Sequence, residues 1–515
     1  MPNWTKEQED AIKLDGKNII VSAGAGSGKT AVLTARVIRK LESGIGINEL
    51  LILTFTNLAA GEMKVRIRKE IKKRDNLKEE LKKIDSSYIT TFDSYSLSLV
   101  KKYHYLLNVK KNISIIESNL LKIKTTEYLD EIMEEEYKNK SLDFSKLIND
   151  FCIKDDKEIK KVILTINDSL NMKYDKDNYL TSYIDNYYSD DFINKNIGKY
   201  ILLLKNIISE ININLTKLSN EIDIDYYKKL SDLILPVINS NDYYEIKRSL
   251  LFDKLPILPR NSSEEAKRYK ETINSNIKLL KELTKYQDTN EIVKTIKLTE
   301  PYVSSIIRII KNLDNKLNNY KYENDLYDFV DICKMAIKLL KENENIREEV
   351  KNSFNEIMVD EYQDTSDLQE EFINLIGNNN VYVVGDIKQS IYRFRNANPN
   401  IFREKYNLFS QNINGIKIDL LKNFRSRSEV LENINLIFNY VMDEFIGGAE
   451  YTKSHQMIPG NITYDNEGNN HENNNLDILS YDYDKEKGFT KEEIEAFIIA
   501  DDIYNKVSSH YQVYD

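Results

Sequence analysis

Residues Val21–Thr30 read VSAGAGSGKT, directly behind the apolar run Asn18–Ser22 (NIIVS) and directly ahead of a helical pattern over Lys29–Leu41. Strand, glycine-rich turn, helix is the grammar of a phosphate-binding loop. Gly24, Gly26 and Gly28 let the backbone wrap closely and point successive N–H groups at an anion, and the helix N-terminus faces that same anion. Lys29 is placed to neutralise β and γ phosphates, and the Thr30 hydroxyl to hold Mg²⁺. The candidate nucleotide-binding loop is therefore Ala23, Gly24, Ala25, Gly26, Ser27, Gly28, Lys29 and Thr30, with Ala23 standing where the strict pattern has Gly. A glycine-rich turn alone is often only a tight loop; the flanking strand and helix favour nucleotide.

Outward from this loop, Leu50–Phe55 (LLILTF) and Tyr88–Phe92 (YITTF) read, like NIIVS, as strands buried on both faces, with a helix expected over Ala59–Lys73. Alternation of this kind builds a parallel sheet with crossover helices. Residues 106–350 then carry apolar stripes at helical spacing, for example Phe329, Ile332, Cys333, Ala336, Ile337 and Leu340, with Asn- and Asp-rich connections expected at Asp185–Asn196 and Asp314–Asp325. Strands resume at Phe354–Val359 (FNEIMV), Val381–Gly385 (VYVVG) and Ile416–Leu421 (IKIDLL), so the chain leaves its sheet, builds a helical insertion and returns. Beyond lie an expected flexible loop (Pro459–Asn475), a strand (Leu476–Ser480) and a helix (Lys491–Val507).

Two returning strands end in chemistry. After FNEIMV comes VDEYQDT (Val359–Thr365); Asp360 suits a Mg²⁺ ligand and Glu361 a base that orients an attacking water, the pair that ATP hydrolysis needs. After VYVVG comes a Gly-Asp turn in which Gln389 is placed to sense a γ phosphate. Tyr392, Arg393, Phe394 and Arg395 then interleave aromatic faces with cations, which suits single-stranded nucleic acid. An acidic turn after a strand is by itself more often a solvated loop, but following a phosphate loop and followed by VVGDIKQSIYRFRNA it favours the hydrolytic pair; an ordinary buried Phe/Tyr pair with surface arginines is the less favoured reading of Tyr392–Arg395.

Taken in order, these segments resemble superfamily-1 DNA helicases of the UvrD/Rep/PcrA group, and more narrowly AddA-type helicase subunits. WTKEQ (Trp4–Gln8) resembles the Q motif, implying that Gln8 reads adenine. AGAGSGKTAVL resembles motif I, in which the family itself tolerates Ala at position 23. TFTNLAAGEMKVRI (Thr54–Ile67) resembles motif Ia, implying DNA contacts from Phe55 and Asn57. VDEYQDTSDLQ resembles motif II, with Gln363 as a coupling residue, and GDIKQSIYRFRNA motif III. LKNFRSR (Leu421–Arg427) resembles motif IV, implying that Phe424 stacks on adenine and that Arg425 is an arginine finger. TFDSYS (Thr91–Ser96) sits where relatives carry a further DNA contact, here Thr91, but with Asp93 in place of their His. Phe394 replaces a Trp, and Asn396 a Gly.

The resemblance implies an α/β, RecA-like P-loop parallel sheet with a large all-helical insertion and the beginning of a second RecA-like domain. The expected division is 1–105 and 351–415 for the first domain, 106–350 for the insertion and 416–515 for the second domain. Motifs V and VI are not found, so a fragment of a longer protein, or a degenerate copy, is expected. The implied activity is ATP-dependent 3′→5′ translocation and unwinding of DNA in repair or recombination, with ATP and Mg²⁺ as cofactors. Implied partners are single-stranded and duplex DNA and a second helicase-nuclease subunit, in a prokaryotic cytosol at the nucleoid. A nucleotide- and DNA-binding module without unwinding is the alternative, and a small-molecule P-loop kinase a third that leaves Tyr392–Arg395 unexplained.

Composition narrows the field. With 515 residues, 30% charged and 41% apolar, a folded, charge-coated protein is expected. Two cysteines exclude a disulfide scaffold or a Cys-rich metal site, and the four histidines are scattered. No apolar run approaches the roughly 18 residues needed to span a bilayer, and no membrane partner is expected. Gly and Pro are scarce, at 16 and 7 residues, which favours long helices. The net charge of −10 does not exclude DNA, because the field that matters is local, and Lys64–Lys83 is rich in Lys and Arg. That run reads equally as a phosphate-binding surface and as a solvated helix face.

Overall fold

A computed structural model of the chain describes residues 4–443, 446, 451, 455–461, 476–484 and 488–510. Two compact units emerge, Met1–Tyr95 with Asn343–Asp515, and Ser96–Glu342. The borders differ from the expected 105/106 and 350/351. The first falls inside the helix Phe92–Lys102, and the helix Glu344–Ser353 belongs with the returning segment.

The strands, in chain order, are β1 (Ile19–Ala23), β2 (Leu50–Thr54), β3 (Tyr88–Thr91), β4 (Ser114–Ile115), β5 (Leu326–Tyr327), β6 (Glu356–Val359), β7 (Val381–Gly385), β8 (Ile416–Leu420), β9 (Lys422–Asn423) and β10 (Ile458–Pro459). Six form one parallel sheet in the order β3-β2-β6-β7-β1-β8. The chain thus does return to its original layer: β6 and β7 insert between β2 and β1. Val21 lies opposite Val384 and Leu53 opposite Val359. The C-terminal ends of β1, β6 and β7 are therefore level, and the loops leaving them share one edge, where ligands of such sheets bind.

Every residue of β1, β2, β6 and β7 is buried, as strands covered by helices on both faces must be. β3 corrects the expectation of full burial. It is an edge strand with alternating exposure, and its Tyr88 packs edge-on against Tyr95 and Phe354. β8 corrects the domain division in part. Assigned from sequence to a second domain, it pairs with β1 as the other edge of the first sheet.

Helix α1 (Lys6–Lys13) starts on a Thr5/Gln8 capping box, and α2 (Lys29–Glu42) grows directly out of the phosphate loop. The stripe Val32, Leu33, Val37, Ile38 and Leu41 of α2 is buried against the sheet, each side chain contributing roughly 1.5–3 kcal/mol. Helix α3 (Asn57–Lys72) buries Ala60, Met63, Ile67 and Ile71.

The second unit is helical apart from the two-residue pairing of β4 with β5, which the sequence reading missed. Two apolar clusters hold it, one around Leu204, Leu230, Ile273 and Leu280, the other around Ile132, Phe144, Ile310 and Leu313. The connection expected at Asp314–Asp325 is instead the last part of the helix Glu300–Asn324, and Asp185–Asn196 spans the end of one helix and the start of the next.

Near the C-terminus the helix forms over Lys491–Ser508. Leu476–Ser480 is not a strand: among the described residues it has no ladder partner, and Leu476, Ile478 and Leu479 are exposed. Of the expected loop at 459–475, residues 462–475 lie outside the described residues, whereas Ile458–Pro459 pairs with β9. Among the described residues no helix is long and apolar enough to cross a membrane.

Candidate functional site

The loop leaving β1 is shaped by two glycines in the left-handed region, Gly26 at φ +70° and Gly28 at φ +84°. A Cβ on Gly26 would lie 2.7 Å from Asn423 Oδ1 and 2.8 Å from Arg425 Cβ, so only glycine fits there. Ala23 is fully buried in β1 and outside that region, which explains why alanine replaces glycine without strain. The Ser27 hydroxyl donates to Gly24 O at 2.7 Å and closes the turn. Gln8 is buried; its Nε2 donates to Ser27 O at 3.0 Å while its Oε1 accepts the Thr5 N–H. In this structure Gln8 braces the loop's backbone.

Glu361 brings the second half of the site. It sits at φ +50°, a left-handed conformation uncommon for a non-glycine residue, where β6 gives way to a short 3₁₀ turn. Its Oε2 accepts from Lys29 Nζ at 2.9 Å, and Lys29 also reaches Gln389 Oε1 at 3.4 Å. Gln389 is turned by Asp386, whose Oδ2 accepts from Gln389 Nε2 at 2.9 Å. Residues on three adjacent strand ends thus meet at one lysine. Around them lies a cavity of about 400 Å³ lined by Gly24, Ala25, Gly26, Gly28, Lys29, Thr30, Ala31, Arg66, Glu361, Gln389 and Arg425.

Asp360 stands just behind, its Oδ1 accepting the Glu361 N–H at 3.0 Å. Burial, with the Glu361 charge adding to it, pushes the Asp360 carboxyl up from 3.8 to about 6, and Lys29 and Arg66 offset only part of this. A hydroxyl (Thr30) and a carboxylate held short of cationic partners are hard oxygen donors, the kind Mg²⁺ takes alongside water and phosphate. Between pH 4 and 6 folded Asp360 binds more protons than it does in the unfolded chain, so stability falls as pH rises through that window and stays lower above it. Asp360→Asn is therefore expected to stabilise the nucleotide-free protein at pH 7.5 by on the order of 2 kcal/mol, and not at pH 4. Melting temperatures of the two proteins at both pH values check this; equal melting at pH 7.5 would contradict it.

The segment after β8 closes the loop's other side. Asn423 Nδ2 donates to Ala25 O at 2.8 Å, its Oδ1 accepts the N–H groups of Arg425 and Ser426, and the Phe424 N–H donates to Gly26 O at 2.8 Å. Phe424 and Arg425 are exposed beside the loop; Phe424 packs so closely on Gly460 that a Cβ there would lie 2.8 Å from its ring. Sequence reasoning missed Asn423, Asp386 and Arg66. Asn423 carried a signal, since an Asn just before a chain reversal commonly bonds backbone two and three residues on. Arg66 carried none beyond its place in the motif Ia-like segment.

A second constellation leaves the same edge. Phe55 and Tyr392 rings lie 4.8 Å apart, Tyr392 and Phe394 5.7 Å apart, and the Arg395 guanidinium stands 5.6–5.9 Å from all three centroids. Phe394 is 75% exposed, too open to be core. Asn396 lies at φ +63°, so asparagine replaces glycine at a position that needs the left-handed region and tolerates both. Asn57 is exposed at the first turn of α3, which Thr56 caps. Thr91 departs from expectation: it is buried, and its hydroxyl caps the following helix through the Ser94 N–H, so it offers no exposed group. Burial pushes the neighbouring Asp93 carboxyl up.

The basic run favours the solvated-face reading. Arg66, Lys73, Arg74, Lys78, Lys82 and Lys83 pair with Glu or Asp within one or two turns or on α2, and Arg68 pairs with Asp85. Lys64, Lys69 and Lys72 stand outside these pairs.

Comparison with known proteins adds an independent line. The family described as UvrD/REP helicase N-terminal domain matches residues 4–410. Curated proteins named as subunits of an ATP-dependent helicase/nuclease are similar throughout. That of Listeria welshimeri is 31% identical over 99% of this chain and 46% of its own length. The Lactobacillus johnsonii protein is 32% identical over 90% and 42%, and the Clostridium botulinum protein 32% over 87% and 40%. The chain spans less than half the length of these relatives.

Proposed function

This chain belongs to the UvrD/REP helicase N-terminal domain family, and we propose that it carries the ATP-binding half of a 3′→5′ single-stranded DNA translocase and helicase for repair or recombination, working in the cytosol at the nucleoid with a second helicase-nuclease subunit. The observation that carries this reading is the meeting of Lys29, Glu361 and Gln389 at 2.9 and 3.4 Å beside the phosphate loop, with Gln389 on the segment that continues into the aromatic track.

In this reading the loop N–H groups and Lys29 bind the β and γ phosphates, Phe424 stacks on adenine beside Gln8, and Arg425 stabilises charge developing on the γ phosphate. Thr30 and Asp360 would hold Mg²⁺, which would neutralise phosphate charge. Glu361 takes the proton of the attacking water. Gln389 links the γ phosphate to the track, because Tyr392, Phe394 and Arg395 follow it within six residues. Bases stack on Phe55, Tyr392 and Phe394, each worth roughly 1–3 kcal/mol, while Arg395 meets phosphate and Asn57 offers a further contact. Nucleotide occupancy thereby alters the grip on the strand.

The test is ATP turnover with and without poly-dT. The chain is expected to hydrolyse ATP faster when poly-dT is added, and Lys29→Ala to abolish nucleotide-dependent behaviour, with turnover down about a thousandfold. Turnover indifferent to poly-dT would favour a small-molecule kinase, and an active Lys29→Ala protein would remove the phosphate-loop assignment.

A further inference from the structure

One buried carboxylate in the motif II-like segment has no task in the mechanism above. Asp364 is 6% exposed, and its Oδ1 is buried without a hydrogen-bond partner among the described residues. Its Oδ2 faces Gln363 Nε2 at 3.3 Å. The same Nε2 donates at 2.9 Å to Glu361 Oε2, the oxygen that also holds Lys29. Gln363 Oε1 in turn accepts the Asp386 N–H at 2.9 Å. Each end of the amide is therefore committed: one N–H to each of two carboxylates, the oxygen to a backbone donor.

These partners leave the amide a single orientation. Turned over, Gln363 would set its oxygen against Glu361 and Asp364 together, and its NH₂ against the N–H of Asp386. The backbone makes room for this arrangement, since a Cβ on Gly385 would lie 2.4 Å from Gln363 Oε1. An unpartnered buried carboxylate oxygen is costly to keep. Burial and the Glu361 charge push the Asp364 carboxyl up to about 6; the Gln363 amide needs from it an acceptor oxygen at that place.

We propose that Asp364 is a positioning residue for ATP hydrolysis: it fixes the orientation of the Gln363 amide, and through that amide the carboxylate of Glu361. Because Gln363 also touches Asp386 at the head of the segment leading to the aromatic track, the base is positioned only while that segment is seated. This inference rests on the hydrolytic reading of the site, and the experiment separates the two.

The full chain and its Asp364→Ala, Asp364→Asn, Gln363→Ala and Asp364→Ala/Gln363→Ala variants are compared in single-turnover ATP hydrolysis with Mg²⁺ and poly-dT, alongside KM for ATP and melting temperature. Asp364→Ala is expected to lower the hydrolysis rate about tenfold with KM unchanged within about twofold. It is not expected to lower the melting temperature, because it removes a poorly satisfied buried charge. Asp364→Asn keeps an acceptor in place and is expected to stay within about threefold of the parent. In the Gln363→Ala background the Asp364→Ala change is expected to add nothing, since the route to Glu361 is already gone. A wild-type rate for Asp364→Ala, a loss in Asp364→Asn as large as in Asp364→Ala, or two single losses that multiply in the double variant would each overturn the proposal. A parent chain without ATP hydrolysis would instead overturn the proposed function itself.

Discussion

Glu361→Gln is expected to lose about a thousandfold in ATP turnover while binding ATP as tightly as the parent or more so. Removing a positioned general base has a typical effect of 10²–10⁴ in rate, and glutamine keeps the shape of the side chain. The gain in binding follows from the ion pair. Lys29 is held by Glu361 at 2.9 Å with the lysine largely buried, and phosphate must take the ammonium away from it. A neutral amide holds Lys29 less firmly. Nucleotide affinity by fluorescence titration and turnover by phosphate release are the two measurements. Turnover within tenfold of the parent would reassign the base; a large loss of affinity would mean that Glu361 shapes the loop.

How far the residues alone foretold this site depended on whether a role was written in one segment or assembled from several. The phosphate loop was legible because its glycines, lysine and threonine are consecutive and the strand and helix around them have plain periodicity. Glu361 was legible because a carboxylate pair closes a buried strand. Their convergence needed only the inference that the chain returns to its sheet, and β6 between β2 and β7 provides it.

Asn423 and Asp386 could not be read in that way, because each has a partner far along the chain, and Asp364 could not because its bond to the adjacent Gln363 matters only through the Glu361 contact that the same amide makes. Asn423 braces Ala25, and Asp386 turns Gln389 and Gln363. Residue type also misled. Asn and Asp over 314–325 suggested a connection, yet a helix whose other positions bury Ile310, Leu313 and Leu317 accommodates them on its exposed faces. Thr91 resembled a contact residue in its segment, but a threonine directly before a helix is claimed by the cap. Alternating exposure in β3 and β8 could not be foreseen, since edge position is a property of strand order.

Arg36 supplies the largest stability effect expected, and it lies in a stretch that drew no functional reading. It is fully buried on α2, with Nε at 2.9 Å and Nη2 at 2.5 Å from the two oxygens of Glu356 on β6, and its guanidinium stacks 4.5 Å from the Tyr382 ring centre on β7. Its remaining donors go to Ala11 O at 2.8 Å, Leu14 O at 2.7 Å and Asp15 Oδ1 at 3.3 Å, in the last turn of α1 and just beyond it. One side chain therefore bolts α2 to two central strands and holds the helix whose opposite end carries Gln8. Arg36→Met would leave the Glu356 carboxylate buried with only Lys40, at 3.7 Å, nearby, and two carbonyls without donors. Breaking a buried ion pair from one side typically destabilises by about 3–5 kcal/mol, which at about 2–4 °C per kcal/mol is roughly 10 °C in melting temperature.

Arg36→Lys should recover only part of this, because an ammonium cannot span the carboxylate and the carbonyls at once. Adding Glu356→Leu to Arg36→Met should recover more, since a buried pair replaced by apolar side chains is often close to neutral. The unpaired charge, rather than lost packing, is then the source of the damage. If the double variant melts no higher than Arg36→Met, the carbonyls of α1 are the contacts that matter; Arg36→Met within about 1 kcal/mol of the parent would show that water reaches Glu356 and that the bolt is not one.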